Sequence, residues 1–329
     1  MMAKAIKVEK RMAEKIRKKL IQNGLLIQNL KIRRNGKYVY FPIIKKCDYG
    51  DFIEKMKFEE KKKNYIELAK EEGIEIDSIS IDFIGDIALI RLPENLKKFK
   101  KKIGEILLKT NKHIKSVYID KGVKNEYRIR EIEFIKGERK TETIHNEYGI
   151  KIKIDVSKVY FSPRLAGERM RVAKQIKKEN IVIDMFAGVA PFSLLIAKYA
   201  HPKKIYAIDK NPYAIKYAKI NAEINRVDNI IEIIEGDAKE IIKKLPHANH
   251  VIMNLPHESF EFLPYAIEKG DIIHYYEIIE RGKEMKRKRE ITSIGKKLGY
   301  KISIKNMHVV GSYSPSKNKI GMDLFIEQF

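Results

Sequence analysis

The chain is poor in the residues that cross-link small proteins or bind metals. Its 329 residues include one cysteine, Cys47, no tryptophan, and eight histidines that lack the spacing of a zinc motif. A single cysteine excludes an intramolecular disulfide and a multi-cysteine zinc site. We therefore expect no metal ion held by the protein, and the chemistry has to come from other residue types.

Long apolar runs are absent as well. No stretch approaches the ~20 consecutive apolar residues of a membrane helix. The charged residues at the start of the chain are not followed by the apolar segment of a secretory signal. Hydrophobic residues make up 44% and charged residues 34% of the chain, as is typical of soluble globular proteins. We expect a cytoplasmic protein that does not contact a membrane.

What the chain has in abundance is positive charge, with a formal net charge of +24. Residues 1–70 contain 20 lysines and arginines against 8 acidic residues, residues 71–150 contain 16 against 15, and residues 151–329 contain 32 against 21. A basic excess at both ends suits a protein that contacts a phosphate backbone at two places. A lysine-rich thermophile proteome would give the same totals, so the motifs have to decide.

The chain begins with a pattern that predicts a small basic α+β domain over residues 1–70. Residues 9–23 place apolar side chains at helical spacing and stop before Gly24, a residue type that often ends helices. The following segment is typical of a β-hairpin closed by Asn35 and Gly36, a pair preferred where both turn residues need positive φ. A highly charged helical connection comes next.

The rest of the chain divides into two further predicted domains. Residues 71–160 suggest short strands on either side of Gly85 and Asp86, an amphipathic helix and further strands, which together form a second α+β domain. Over residues 161–329 strands alternate with helices, which indicates a parallel, doubly wound sheet. The predicted fold class is thus α/β, with a Rossmann-like domain preceded by two smaller α+β domains.

The first strand of the predicted sheet, residues 181–183, runs into a turn that contains Asp184 and the small residues Ala187 and Gly188. Such a turn lets the backbone approach a ligand at the carboxyl end of the sheet. The phosphate-binding pattern G-x-G-x-x-G is absent, and Pro191 removes a backbone donor that a pyrophosphate would need. A ligand without phosphate therefore fits better than a dinucleotide, and an NAD-dependent oxidoreductase is the weaker alternative.

The next two predicted strands end near acidic residues. Asp209 follows the second strand, at the spacing expected of a carboxylate that accepts hydrogen bonds from both ribose hydroxyls. Asp237 follows the third strand, where its side chain can accept from an adenine amino group. Each acid alone is compatible with a surface or capping role. Three such elements in this order on alternating strands indicate S-adenosylmethionine as the cofactor.

The fourth predicted strand ends in Asn254, Leu255 and Pro256. A strand tip of this kind presents an amide and a backbone carbonyl that can hold the planar edge of a nucleobase beside a methyl donor. An ordinary Asn-Pro turn is the alternative. The position of the motif in the predicted sheet favours the functional interpretation.

Five segments together resemble a known family: VYFSPRLAGER (159–169), DMFAGVAPFS (184–193), IYAIDKNPYAI (205–215), VIMNLP (251–256) and IIHYY (272–276). They are similar to the archaeal and eukaryotic tRNA (guanine-N1)-methyltransferases that modify guanosine-37 beside the anticodon. The similarity extends through the basic N-terminal segment and covers nearly the whole chain. It implies a cytoplasmic enzyme that binds tRNA, acts as a monomer and needs no protein partner.

The resemblance also implies roles for individual residues. The general base of the family corresponds to Glu168, and a glutamate partly desolvated by a bound base and cofactor would have its pKa raised, which suits proton removal from guanine N1. The structural alternative is a salt bridge to Arg164 or Arg169. Loss of the N1 proton shifts negative charge onto O6, and the family has an arginine that contacts this oxygen. Lys140 occupies the position of that arginine in this chain, and the neighbouring Arg139 is the alternative.

Two sets of site residues follow from motif and resemblance together. The catalytic set is Glu168, Lys140, Arg139, Asn254 and Pro256. The cofactor-binding set is Tyr160, Arg164, Asp184, Phe186, Ala187, Gly188, Asp209, Lys210, Asp237, Ala238 and Asn254.

The chain departs from the family pattern at two places. Ala190 stands where the family commonly has glycine, which we expect to narrow the cofactor pocket slightly, and the segment after Pro256 begins with His257 and Glu258. Some archaeal members also methylate C7 of the wyosine precursor at position 37, so a bifunctional enzyme is one alternative. Methylation of another RNA base, or RNA binding without catalysis, are the others.

Overall fold

The computed structural model describes all 329 residues, which separate into two compact units, residues 1–76 and 77–329. Residue 76 lies close to the boundary expected at residue 70. The finer division of the second part at residue 160 stays a prediction. No helix in the structure combines the length and the apolar character needed to cross a membrane.

The first unit is a four-stranded antiparallel sheet with one helix against it, in the strand order β2-β3-β1-β4. Ile16 and Leu20 of the amphipathic helix α1 are buried, and they belong to a core that includes Ile6 and Phe41 of the sheet. The elements of this unit are β1 (Met2–Glu9), α1 (Ala13–Gln22), β2 (Arg33–Asn35), β3 (Tyr38–Ile43), β4 (Asp51–Lys57) and α2 (Tyr65–Glu71).

The predicted hairpin of this unit is present, but its turn differs from the expected one. Asn35 is the last residue of β2 and pairs with Tyr38, so the two turn residues are Gly36 and Lys37. Of these only Gly36 has a positive φ, of 53°. A glycine with positive φ at the first turn position is typical of a type II′ turn, which does not need a second residue with positive φ.

The second unit begins with a four-stranded sheet in the order β5-β6-β7-β8, followed by a separate hairpin, β9-β10. The predicted strands around Gly85 are confirmed, with Gly85 at a φ of 54° in the turn between them. The elements are β5 (Ser80–Ile84), β6 (Ile87–Arg91), α3 (Lys100–Thr110), β7 (Ser116–Lys124), β8 (Ile129–Gly137), β9 (Glu142–Glu147) and β10 (Ile150–Asp155).

A seven-stranded sheet with the order β13-β12-β11-β14-β15-β17-β16 forms the remainder of the second unit. The strands from β13 to β15 are parallel, as predicted, and the two last strands are antiparallel additions. The elements are α4 (Ala166–Ala173), β11 (Ile181–Asp184), α5 (Pro191–Ala200), β12 (Lys204–Asp209), α6 (Pro212–Asn225), β13 (Ile231–Glu235), α7 (Ala238–Lys244), β14 (Ala248–Met253), α8 (Ser259–Ile267), β15 (Gly270–Glu280), α9 (Glu284–Lys297), β16 (Tyr300–Ser314) and β17 (Lys317–Gln328).

The side-chain amides of two asparagines in α6 bind the hairpin β9-β10. Asn221 of α6 accepts from the backbone N–H of Lys153 at 2.7 Å and donates to its carbonyl at 3.0 Å, and Asn225 does the same at Lys151. These amides satisfy the outer edge of β10, whose polar backbone groups would otherwise be unpaired. The hairpin thereby becomes part of the core that carries the sheet.

Candidate active site

A cleft of about 310 Å³ opens at the carboxyl ends of the parallel strands. This is where ligands bind in open α/β sheets, because the loops that follow the strands meet there. Its wall comes from the turns after β11, β12, β13 and β14, from the segment 160–169, from the β7-β8 turn and from β15, β16 and β17.

The turn after β11 forms one side of the cleft with Phe186, Ala187 and Gly188. Gly188 has a φ of 57°, and a Cβ built on it would meet only the Tyr160 carbonyl oxygen, at 3.8 Å. The open space in front of this glycine is what a ligand close to the backbone requires. Phe186 packs edge-to-face on Phe262, with ring centroids 4.9 Å apart.

Asp209 lies at the tip of β12 and has the properties expected of a ribose ligand. Its two carboxylate oxygens accept from the backbone N–H groups of Gly188, at 2.7 Å, and of Asn211, at 2.9 Å. Burial raises the pKa of this carboxyl against the opposing effect of these two donors. Each oxygen keeps a lone pair for a ligand hydroxyl, so the donor set fits a ribose.

Asp237 and Lys210 complete this side of the cleft. Asp237 caps α7 by accepting from the N–H of Lys239 at 2.8 Å through Oδ1, which leaves Oδ2 for an amino group. Asp237 can therefore cap α7 with one oxygen and bind the cofactor with the other. Ala238 is buried beside Asp237. Lys210 pairs with Glu126 of the β7-β8 turn at 2.9 Å.

Two residues of the first motif lie outside the wall of the cleft, contrary to expectation. Asp184 is buried, where one oxygen accepts from Ser193 at 2.8 Å and the other has no donor, and burial raises its pKa to about 7. It supports the start of α5 and makes no direct approach to the cleft. Ala190 adopts a φ of 64°, so its departure from glycine costs about 1–2 kcal/mol of left-handed strain, and it does not narrow the pocket.

The tip of β14 forms the opposite side, with Asn254, Leu255 and Pro256. The carbonyl of Pro256 already accepts from the N–H of Ile278 at 2.9 Å, and that of Leu255 accepts from the N–H of Ser259 at 2.9 Å. These bonds anchor the tip on β15 and α8. They leave the Asn254 side chain as the polar group available to a ligand.

Glu168 is buried in the first turn of α4 and is not itself in the wall of the cleft, although its helix neighbour Arg169 is. Its Oε1 accepts from the Tyr276 hydroxyl at 2.7 Å and from Arg171 Nε at 2.9 Å, and its Oε2 lies 3.0 Å from His308 Nε2. Burial would raise the pKa of Glu168, but these hydrogen bonds together with the charge of Arg171 hold it below its usual value. Glu168 is therefore ionised in the unliganded protein, and the rise in its pKa expected when a base and the cofactor desolvate it stays a prediction.

The two salt bridges proposed as the alternative for Glu168 do not form. Arg164 donates to Asp82 at 2.6 Å, and Arg169 makes a buried bidentate pair with Glu147 at 2.7 and 2.5 Å. Both arginines line the cleft through α4 and the turn before it.

Glu168 also belongs to a largely buried ionic network that no sequence motif indicated, in which Asp323 and His274 are fully buried and Arg171 is partly exposed. Arg171 reaches Asp323 of β17 with hydrogen bonds of 2.7 and 3.0 Å, and Asp323 also bonds His274 at 2.8 Å. The hydrogen bonds from His274 and Arg171 outweigh burial and hold the pKa of Asp323 well below its ordinary value. This network keeps Arg171, and through it Glu168, in one orientation.

Arg139 and Lys140, the expected partners of a guanine O6, are not in the wall of this cleft. Lys140 Nζ lies 2.6 Å from Asp86 in a separate depression, and the Arg139 guanidinium lies over the Phe134 ring at 5.1 Å. The structure brings together Asn254, Pro256 and the cofactor-binding set other than Asp184.

Sequence reasoning missed Lys319 and Arg128, which both line the cleft. Lys319 lies on β17 and donates to Asn254 Oδ1 at 2.8 Å. Arg128 has a φ of 54° in the β7-β8 turn and its guanidinium lies over the Tyr160 ring at 5.5 Å. No motif marks either residue, because Lys319 reaches the cleft through the pairing of β17 with the distant β15, and Arg128 through the tertiary position of the β7-β8 turn.

The fold and the cleft together define the class. A parallel sheet with a glycine turn after its first strand, carboxylates at the next two strand tips and no phosphate-binding pattern is that of an S-adenosylmethionine-dependent methyltransferase with a Rossmann-like domain.

Family models and relatives narrow the class further. The TRM5/TYW2 methyltransferase domain model matches residues 143–303, the tRNA methyltransferase 5 N-terminal domain model matches residues 5–51, and the TYW2 N-terminal domain model matches residues 71–141. The tRNA (guanine(37)-N(1))-methyltransferase Trm5b of Pyrococcus abyssi is 40% identical, over 98% of both chains. The chain belongs to the TRM5/TYW2 methyltransferase family.

Solved structures agree with this placement. The crystal structure of wild-type Trm5b from Pyrococcus abyssi matches with a TM-score of 0.75 at 37% identity and covers 99% of each chain. The complex of aTrm5 with tRNALeu matches with a TM-score of 0.70 at 34% identity, over 98% of this chain and 99% of that one. A tRNA 4-demethylwyosine(37)-methyltransferase of Saccharolobus solfataricus, Taw21, is 37% identical over 62% of this chain and 79% of its own length.

Proposed function

We propose that this protein transfers a methyl group from S-adenosylmethionine to N1 of guanosine-37 in tRNA. The observation that carries the proposal is Glu168, an ionised, buried carboxylate bonded to Tyr276, whose ring centroid lies 5.4 Å from the Nζ of Lys319 in the wall of a cleft that fits the cofactor. A relative with that activity matches over its full length, and a tRNA complex is among the similar structures.

The cofactor side of the cleft binds and orients the methyl donor. Asp209 would hold the ribose hydroxyls and Asp237 the adenine amino group, with the Phe186–Gly188 turn against the rest of the ligand. When bound, S-adenosylmethionine supplies an electrophilic methyl group on a sulfonium sulfur that departs as a neutral thioether. The protein's task is then to place the guanine N1 in line and remove its proton.

Glu168 is the group that receives this proton. Guanine N1 is protonated at neutral pH, so the electron pair that forms the new bond to carbon becomes available as the proton moves to a base. Both oxygens of Glu168 have partners in the unliganded protein, and the half-exposed His308 is the one nearest solvent. Displacement of that contact frees Oε2 for the N1–H while Tyr276 and Arg171 keep the carboxylate in place.

The basic N-terminal unit is suited to bind tRNA. Residues 1–70 carry 20 lysines and arginines against 8 acidic residues, and such an excess binds a phosphate backbone without regard to sequence. The target guanine has to leave its stack to reach the cleft. One chain carries both parts, so one copy suffices to bind tRNA and to methylate it, and we propose a cytoplasmic enzyme that acts as a monomer.

Methyl transfer from labelled S-adenosylmethionine tests the proposal directly. Two substrates are compared: unmodified tRNA with guanosine at position 37, and the same tRNA carrying the wyosine precursor there. Digestion to nucleosides and mass spectrometry locate the methyl group. We expect 1-methylguanosine from the first tRNA, and its absence would refute the proposal. Product on the second tRNA as well would make the enzyme bifunctional.

A further inference from the structure

Lys319 is a cleft-lining ammonium without a carboxylate partner. It lies on β17 opposite Ile278 and Gly311, at the point where three antiparallel strands approach the tip of β14. Its Nζ donates to Asn254 Oδ1 at 2.8 Å and lies 5.4 Å from the centroid of the Tyr276 ring. No acidic side chain lies within ion-pair distance of it, so two of its three N–H donors remain for a ligand.

The other cationic side chains that line the cleft already have partners. Lys210, Arg164 and Arg169 each have a carboxylate partner, at 2.9, 2.6 and 2.5 Å respectively. Arg128 stacks on the exposed Tyr160 ring. Lys319 is therefore the positive charge that is both unpaired and in direct contact with the predicted base-binding asparagine.

The reaction is favoured by a positive charge close to one oxygen of the target base, guanine O6. When guanine N1 loses its proton, the electron density that remains is shared with O6, the oxygen on the neighbouring ring carbon. A cation or donor aimed at this oxygen stabilises the transition state more than the ground state. Lys140, at the position where the family places an arginine, is paired with Asp86 outside the cleft.

We propose that Lys319 binds O6 of the target guanine and stabilises the charge that develops there, and that Asn254 is oriented by the same ammonium. This inference rests on the proposed function. Lysine has no acceptor, so the contact forces the amide oxygen of Asn254 toward Lys319 and leaves its NH₂ group for the base. The N1 proton goes to Glu168, the N1 electron pair forms the bond to the methyl carbon, and the bond from that carbon to sulfur breaks.

The surroundings of Lys319 make its charge sensitive to pH. Although the residue is only half-buried, desolvation of its ammonium lowers its pKa to about 7. Glu168 of α4 acts in the opposite direction, while Arg128 of the β7-β8 turn and Arg169 of α4 lower the pKa further. The ring of Tyr276 on β15 also faces Lys319. Burial, together with the charges of Arg128, Lys319 and Lys317, lowers the pKa of the nearby His257.

Substitution of Lys319 tests the assignment. We expect Lys319→Met to lower kcat for methylation of guanosine-37 by about 100-fold, as for the loss of one oxyanion donor, with the Kd for S-adenosylmethionine unchanged. Lys317→Met, on the exposed start of the same strand, is the matched control. Lys319→Gln, which keeps polarity, and thermal melts of each variant separate a catalytic loss from misfolding.

The outcomes separate this inference from the function on which it rests. Wild-type rates in Lys319→Met and Lys319→Gln, with a loss in Lys140→Met, would place the O6 partner at Lys140 and overturn the inference. A wild-type enzyme that transfers no methyl group to guanosine-37 would refute the proposed function instead.

A pH profile distinguishes charge stabilisation from a purely positional role. Only protonated Lys319 can stabilise the charge on O6, so the wild-type kcat/KM should fall as the pH rises through the pKa of this lysine. In Lys319→Arg the cation persists, and the fall should move to higher pH or vanish. A neutral amine can still donate to Asn254, so a positional role predicts the same profile for both proteins, and that result would overturn the inference.

Discussion

The two sides of the cleft differ in how far apart in the sequence their residues lie. The cofactor side uses Phe186, Gly188, Asp209 and Asp237, which lie within some fifty residues and follow three successive parallel strands. The base side combines residues from 128 to 319, among them Asn254 and Lys319. Parallel strands joined by helices bring consecutive tips together automatically, whereas the base side depends on how distant strands pair.

This difference has an energetic consequence. On the cofactor side the carboxylates accept from backbone N–H groups of the strand-end turns, as Asp209 does from Gly188 after β11 and from Asn211 in its own turn. On the base side the side chains bond to one another instead. Tyr276 and Arg171 donate hydrogen bonds to Glu168, and Lys319 donates one to Asn254. Substitution on the cofactor side should therefore affect mainly ligand affinity, and substitution on the base side mainly the rate of the chemical step.

The largest effect should come from Glu168→Gln. The amide keeps the size of the side chain but cannot take the N1 proton, so kcat should fall by about two to four orders of magnitude, the range for a lost general base. The Kd for S-adenosylmethionine should stay within about twofold. Single-turnover methyl transfer and equilibrium binding measure the two quantities, with the exposed Glu179→Gln as control. A rate like that of the wild type would remove Glu168 from the mechanism.

An intermediate effect is expected from Asp209→Ala on the cofactor side. Loss of hydrogen bonds between the ribose hydroxyls and a charged group should weaken S-adenosylmethionine binding by about 10- to 100-fold, while kcat at saturating cofactor changes little. Isothermal titration gives the affinity, and Asp228→Ala, an exposed carboxylate after α6, serves as control. Unchanged affinity would mean that Asp209 only supports the turn at Gly188. A loss confined to kcat would contradict the division of the cleft into two halves.

The smallest effect is expected from Tyr276→Phe, and it is best seen as a change with pH. The Tyr276 hydroxyl stabilises ionised Glu168 and so lowers its pKa. Without it the pKa rises, and the activity that needs the ionised form is lost at a higher pH than in the wild type. The rate near neutral pH should drop about fivefold, as for one hydrogen bond. Tyr275→Phe, whose hydroxyl bonds Glu277 instead, should leave the acid limb unmoved; equal shifts in both variants would contradict the assignment.

Local patterns were enough to predict most of the elements and the cofactor side. The helix Pro212–Asn225, the strands around Gly85 and the carboxylates at the tips of β12 and β13 lie where periodicity and spacing placed them. These features depend on short-range physics, namely the apolar repeat of a helix, the chirality of a turn and the order of strands in a parallel sheet.

The sequence did not predict which charged side chains pair with one another. Arg164, Arg169 and Glu168 are close in sequence and could pair with one another, yet the two arginines bond Asp82 and Glu147 in distant strands, and Glu168 bonds Arg171 three residues further along α4. A surface pair within a helix contributes only about 0.2–0.5 kcal/mol. Burial changes this balance, because an unpaired buried charge is costly, and the tertiary fold selects whichever partner it brings close.

By itself the sequence determined the class of fold, the methyl donor and the family, because those depend on motifs contained in single strand–turn–helix units. The tertiary structure alone decided which cation lies beside Asn254 and which groups hold Glu168 ionised. Both depend in part on β17, which pairs antiparallel with β15, and on β16, which pairs antiparallel with β17. These strands carry Lys319, Asp323 and His308 to residues more than forty positions away. Strand pairing over such distances leaves no local periodic trace.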